Sequence, residues 1–143
     1  LTYLTKVFAK DMKRRRSGRI VNVASIASFY PGPLMAEYYA TKAYVLRFSV
    51  AVANELKGTG VTVTALCPGP TASKFATTAA ATRSGIFNSR KLPTSEVVAS
   101  YGYKAMLKGK TVAIHGIGNN LTMVLTRLVP ASLAAKIIRR VQS

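Results

Sequence analysis

The sequence predicts an α/β fold built on a parallel sheet of about three strands with flanking helices. Two observations carry this reading. Three short runs, Arg19 to Ala24, Val61 to Leu66 and Thr111 to Ile114, are rich in β-branched and apolar residues and suit strands buried on both faces. Between the first two lies Glu37 to Lys57, a long helical pattern in which Tyr44, Val45, Phe48, Val52 and Leu56 recur at three- and four-residue steps. A strand, a helix of that length and a second strand imply a parallel crossover.

The elements follow in order. Leu1 to Arg16 reads as an amphipathic helix through Leu1, Leu4, Val7, Phe8 and Met12, ended by Ser17-Gly18 with Gly18 in the left-handed cap conformation. A helix that starts in mid-period without a capping residue leads us to expect sequence upstream of Leu1. After the first strand, Ser25 to Ala36 contains Pro31-Gly32-Pro33 and reads as a loop, with Phe29, Tyr30, Leu34 and Met35 forming an apolar wall. Gly58-Thr-Gly60 ends the long helix.

Pro70 to Pro93 is rich in Ala, Thr and Ser, including Thr77 to Thr82, and has no convincing strand. Thr94-Ser95-Glu96 starts a helix expected to reach about Leu107. His115 to Gly118 lacks the full dinucleotide-loop spacing and reads as a turn. Asn120 to Val129 and Ala131 to Val141 form a helical tail broken at Pro130. Leu121, Val124, Leu125 and Leu128 make one apolar stripe, and Leu133, Ile137, Ile138 and Val141 make another opposite Lys136, Arg139 and Arg140. The first reading of this tail is a docked terminal helix or subunit contact. Peripheral membrane contact through residues 120–142 is the alternative.

Composition narrows the function. Twenty-one Lys and Arg stand against Asp11, Glu37, Glu55 and Glu96, a formal net charge of +17, which would attract nucleic acid, anionic membrane or a phosphorylated cofactor. No DNA-reading module or interleaved aromatic platform accompanies the charge, so no nucleic-acid partner is expected. A single cysteine, Cys67, and a single histidine, His115, give no disulfide framework and no metal site. No apolar run reaches the ~20 residues that cross a bilayer, and the expected compartment is the cytoplasm.

One spacing carries chemistry. Tyr38 and Lys42 lie four residues apart on the long helix, on one face and about one turn apart. A phenol with a reference pKa of about 10 is a poor base at neutral pH, and a fixed cation beside it favours the phenolate. Ser25, 13 residues before Tyr38 and at the end of an apolar run, is placed to bind an oxygen that the phenol protonates. Structural readings stand beside these: Ser25 as a turn cap, Tyr39 as the exposed phenol in place of Tyr38, and Pro68-Gly69 as a strand exit.

Gly18-Arg-Ile-Val-Asn-Val-Ala-Ser25, the spacing to Tyr38-Tyr-Ala-Thr-Lys42-Ala43, and Val61-Thr-Val-Thr-Ala-Leu-Cys-Pro68-Gly69 together resemble the short-chain dehydrogenase/reductase family. The match is clearest from Gly18 to Ser73 and weaker from Thr94 onward. The resemblance implies the carboxyl-terminal half of a doubly wound Rossmann-type sheet, so that residues 1–143 form a single partial domain. The family's Gly-rich dinucleotide loop and the Asn of its catalytic tetrad would precede Leu1.

It also implies an oxidoreductase that moves a hydride between NADP or NAD, with NADP favoured, and a small carbonyl or alcohol substrate. Tyr38 would be the acid or base. Ser25 would position the substrate oxygen, and Lys42 would assist Tyr38 and bind the nicotinamide ribose. Pro68 and Gly69 would shape the nicotinamide pocket, while Thr71 and Ser73 would meet the carboxamide. The segment after Pro-Gly would cover the substrate, and helices 1–16 and 37–57 would pair in a homo-oligomer. The residues alone are expected not to turn over. The alternative is a non-catalytic remnant acting as an association module.

Overall fold

The computed structural model describes residues 1–74, 92–126 and 128–142. In chain order these form α1 (Thr2–Arg14), β1 (Gly18–Val23), a 3-10 turn (Ile26–Phe29), α2 (Ala36–Glu55), β2 (Val61–Cys67), α3 (Ser95–Leu107), β3 (Val112–Ile114), α4 (Ile117–Thr126) and α5 (Ala131–Gln142). The sheet runs β1-β2-β3 and both pairings are parallel, as the crossover pattern requires. Gly18 stands opposite Val61 and Val23 opposite Leu66, while Ala65 to Cys67 pair with Val112 to Ile114.

Helices cover both faces of the sheet. On one face α1 and α2 pack together: Leu56, Val61 and Val63 are buried with Ala9, Met12, Ile20 and Val52 against them. Nearer the carboxyl ends of the strands, Ala24, Leu46, Ala65 and Cys67 continue that core, with Phe29 and Val45 packed on it. On the other face Leu66 and Ala113 meet Ala105 and Tyr101 of α3. Alternation along β2 explains the split, since residues two apart share a face. Burying a side chain such as Val63, 1% exposed, stabilises by roughly 1.5–3 kcal/mol.

The long helix divides its apolar residues between two environments. Val45, Val52 and Leu56 turn to the sheet. Tyr44 and Phe48 stack on each other outside it, with ring centroids 5.8 Å apart, and the Tyr44 hydroxyl shares a 2.6 Å hydrogen bond with Thr2 on α1. A polar link fastens α2 to β1 inside the core. Asn22 Nδ2 donates to Ser49 Oγ at 2.9 Å, and that hydroxyl donates to the Val45 carbonyl at 2.7 Å.

Element ends differ from the sequence expectation where distant chain meets them. The left-handed residue after α1 is Arg16 (φ 54), not Gly18, which already belongs to β1. The Ser17 N–H reaches the Met12 carbonyl at 3.1 Å and closes the helix there. Gly60 (φ 80) ends the turn after α2 as expected, and its Cα lies so close to the Arg16 carbonyl that a Cβ would not fit. The Gly18 N–H then bonds the Gly60 carbonyl at 3.3 Å, which sets the register of the β1–β2 pair.

Ser25 to Ala36 is not wholly irregular, since it contains the 3-10 turn. In the tail, α4 starts at Ile117, earlier than Asn120, and ends at Thr126, short of Val129. Gly116 (φ 92) makes the turn, and the Asn120 amide donates to the Ile114 and Gly116 carbonyls at 2.8 and 2.9 Å. Only His115 and Gly116 of the expected turn therefore lie outside the helix. The break at Pro130 is present.

Candidate active site

In a parallel sheet the carboxyl ends of neighbouring strands open into one crevice. Here the pairing continues past the strands: the Ala24 N–H bonds the Leu66 carbonyl at 2.7 Å and the Ile26 N–H the Pro68 carbonyl at 2.9 Å. Ser25 is held between these bonds, 8% exposed, and its Oγ accepts the Ala27 N–H at 3.1 Å to open the 3-10 turn. A hydroxyl that accepts there still carries a proton to donate.

Tyr38 lies in the first turns of α2 and Lys42 one turn on. The Lys42 ammonium donates to the Val23 carbonyl at 3.0 Å and stands 5.8 Å from the centroid of the Tyr38 ring. Burial lowers the Lys42 pKa, opposed in part by the nearby Cys67 thiol. Ser28, buried in the 3-10 turn, donates to the Lys42 carbonyl at 2.7 Å and ties the turn that begins at Ser25 to the helix that carries the cation.

The two adjacent tyrosines are not equivalent. Tyr39 is 8% exposed and lies against Gly32, where a Cβ would strike its ring. Tyr38 meets it edge-on at 5.9 Å and is the more exposed of the pair. Tyr30 completes the cluster, 5.7 Å from Tyr39. Burial, with Tyr39 and Tyr38 adding to it, pushes the Tyr30 phenol up to about 12, so it stays a neutral hydroxyl at any physiological pH.

A cavity of about 440 Å³ lies between these groups. Ser25, Tyr38, Lys42, Pro68, Gly69, Thr71 and Ser73 all line it. Thr71 Oγ1 donates to the Gly69 carbonyl at 2.9 Å, and Gly69 packs so closely on the Asn119 amide that a Cβ would meet it. The Pro70 to Ser73 stretch is fastened to the start of α3 by a parallel bridge between Ala72 and Thr94 and by the Ala72 N–H to Pro93 carbonyl bond at 2.9 Å.

The family model for short chain dehydrogenases matches residues 1–84. The chain belongs to the short-chain dehydrogenase/reductase family. It is 34% identical over 128 residues to the ketoacyl reductase HetN of Nostoc sp., covering 90% of this chain and 44% of that protein. It is 46% identical over 65 residues to a 3-oxoacyl-[acyl-carrier-protein] reductase of Synechocystis sp., covering 46% of this chain and 26% of that one. Among solved structures, a short-chain dehydrogenase from Sphingobium yanoikuyae in complex with NADPH superposes with a TM-score of 0.70 at 25% identity, over 89% of this chain and 50% of its own. One from Burkholderia cenocepacia in complex with NADP gives 0.68 at 23%, over 97% and 53%, a likeness of fold. The chain thus spans about half the length of these relatives or less.

Against the sequence expectation, the apolar wall differs in membership. Tyr30 and Met35 line the cavity, but Phe29 turns into the core and Leu34 (φ 69) is 68% exposed. Leu34 itself takes the left-handed conformation directly after Pro33, and its side chain faces solvent. In exchange α3 supplies Ser95, Val98 and Ala99, which sequence reasoning missed because small residues after a helix cap look the same whether they face a core or a cavity. The expected cover between Phe75 and Lys91 lies outside the described residues.

Proposed function

We propose that this chain carries the catalytic part of an oxidoreductase that interconverts a small carbonyl and its alcohol with NADP or NAD. The observation that carries the proposal is that Ser25, Tyr38 and Lys42 line one cavity at the carboxyl ends of β1 and β2 in a family member. Relatives named as ketoacyl and 3-oxoacyl reductases support a carbonyl substrate, and 3-oxoacyl thioesters are the first to try.

The residues fit the nicotinamide end of a dinucleotide. Lys42 offers an ammonium held by a backbone carbonyl, and the backbone near Thr71, with Ser73, lies on the same wall as Pro68 and Gly69. Bound there, the cofactor would supply or accept the hydride. Ser25 donates a hydrogen bond to the substrate oxygen and fixes it beside Tyr38. Tyr38 gives that oxygen a proton in reduction and removes it in oxidation. The Lys42 cation stabilises the negative charge that the Tyr38 oxygen acquires when its proton leaves. Tyr30, Met35 and Val98 keep the substrate side apolar.

Because the chain spans about half of its relatives, the proposal includes a diphosphate-binding half supplied by other sequence. In the protein that contains this chain, Tyr38→Phe should cut carbonyl-dependent NADPH oxidation by roughly 10² or more with cofactor affinity little changed. Lys42→Ala should weaken both. Near-normal turnover in Tyr38→Phe would overturn the reading. Residues 1–143 alone should show no saturable cofactor binding that survives moderate salt, because a helix N-terminus normally receives the diphosphate charge.

The proposal also includes a homo-oligomer through helices 1–16 and 37–57. Leu4 and Phe8 of α1 are more than half exposed, as is Tyr44 of α2 beside them. The same surface supports the second reading, a non-catalytic association module. Activity that depends on Tyr38 separates the two.

A further inference from the structure

The two helices α4 and α5 carry apolar surface that neither the core nor the site uses. Helix α4 rests on the body through Met123, which is buried. Its other side presents Ile117, Leu121, Val124 and Leu125, with Leu128 just beyond, and exposures run from 53% at Leu125 to 91% at Ile117. These positions fall at four-, seven-, eight- and eleven-residue steps and form one stripe. Helix α5 repeats the pattern. Ala134 is buried and Ile138 half-buried, while Leu133, Ile137 and Val141, four apart, lie on the exposed side.

The charge beside these stripes has one sign. Lys136, Arg139 and Arg140 are exposed on α5, and no acidic residue follows Glu96 anywhere in the chain. Exposed apolar area of this extent on a soluble protein marks an interaction surface. The uniform charge says what kind. A second copy packed two-fold on this face would set its cations against their equivalents, which like-charge contact opposes. No helix among the described residues is long and apolar enough to cross a bilayer.

We infer that α4 and α5 lie on an anionic lipid surface. Leu133, Ile137 and Val141, together with the Ile117 to Leu128 stripe, enter the boundary between headgroups and acyl chains, and Lys136, Arg139 and Arg140 meet lipid phosphates. The α1 and α2 face has apolar exposure too, but Asp11, Glu37 and Glu55 lie among its bases, as suits a protein partner better than a lipid one.

The test is sedimentation of the protein containing this chain with phosphatidylcholine vesicles, with and without phosphatidylglycerol, at physiological salt. It should pellet with the anionic vesicles and not with the neutral ones. Replacing Lys136, Arg139 and Arg140 by Gln should weaken partitioning roughly 10²-fold. Replacing Lys6, Lys10 and Lys13, exposed on α1, should change it little. Leu133→Ser with Ile137→Ser should weaken it roughly 10-fold or more at unchanged charge. The pair Leu121→Ser and Leu125→Ser on the other helix gives an independent reading if circular dichroism shows the first to be misfolded. Undiminished binding in the folded serine variants, or equal losses from the two charge triplets, would reduce the effect to the net charge of +17 and overturn the inference. So would a dimer in the absence of vesicles that the serine variants dissolve while lipid binding is absent.

Discussion

The Cys67 thiol sits under the site, fully buried, and burial pushes its pKa up to about 12 although the Ser25 N–H and the Lys42 ammonium pull the other way. The thiolate is the reactive form. Native protein at pH 8 should therefore be alkylated by iodoacetamide roughly 10³-fold more slowly than protein unfolded in urea, and rapid native labelling would contradict the burial. The raised value also bears on stability. Between its ordinary 9.0 and about 12 the folded thiol keeps a proton that the unfolded one has lost, so this contribution is present below pH 9 and disappears as pH rises through 12. Lys42 acts in the opposite sense: its lowered pKa means the folded chain gives up that proton earlier, and stability gains with pH in the window below 10.5. Urea titrations of Cys67→Ala against the parent from pH 8 to pH 10 should show the parent losing more stability. At this scale the Ser25, Tyr38 and Lys42 grouping was legible, because strand ends and helix periods place residues without knowledge of the rest. Ser28 and Asn119 were not. Their neighbours, the Lys42 carbonyl and Gly69, come from separate turns of chain.

Elements were legible in their interiors and less so at their ends. All three strands and the long helix lie where β-branched runs and the 3.6-residue period put them, and the parallel order follows from the crossover. The ends depended on contacts between distant turns. Arg16 took the left-handed position because Gly60 leaves its carbonyl room, and α4 began early because the Asn120 amide satisfies carbonyls in the preceding turn. The Asn22–Ser49 bond is the element-scale feature that a pattern of apolar residues hides. Ser49 is completely buried, and removing its hydroxyl leaves the Asn22 amide without that acceptor. Ser49→Ala should cost about 1–3 kcal/mol by urea denaturation, more than its small volume suggests. A change within a few tenths would mean that the link between β1 and α2 is carried by packing alone.

For the whole molecule, the surface proposed for association and the cavity use different residues. Placing charge at Phe8 and Tyr44 should convert the proposed oligomer to a folded monomer by sedimentation, since both side chains lie outside the sheet core. An unchanged oligomer would move the interface elsewhere. Charge at Val52 would be uninformative, because that side chain packs on the sheet. The bridge between Ala72 and Thr94 has a different consequence. It clamps together the two points from which residues 75–91 depart and return, and Ser95 Oγ, 3.4 Å from the Ala72 carbonyl, reinforces the join. The join anchors the Pro68 to Ser73 wall of the cavity to the start of α3. A change of sequence between residues 75 and 91 should therefore leave Ser25, Tyr38 and Lys42 in their places.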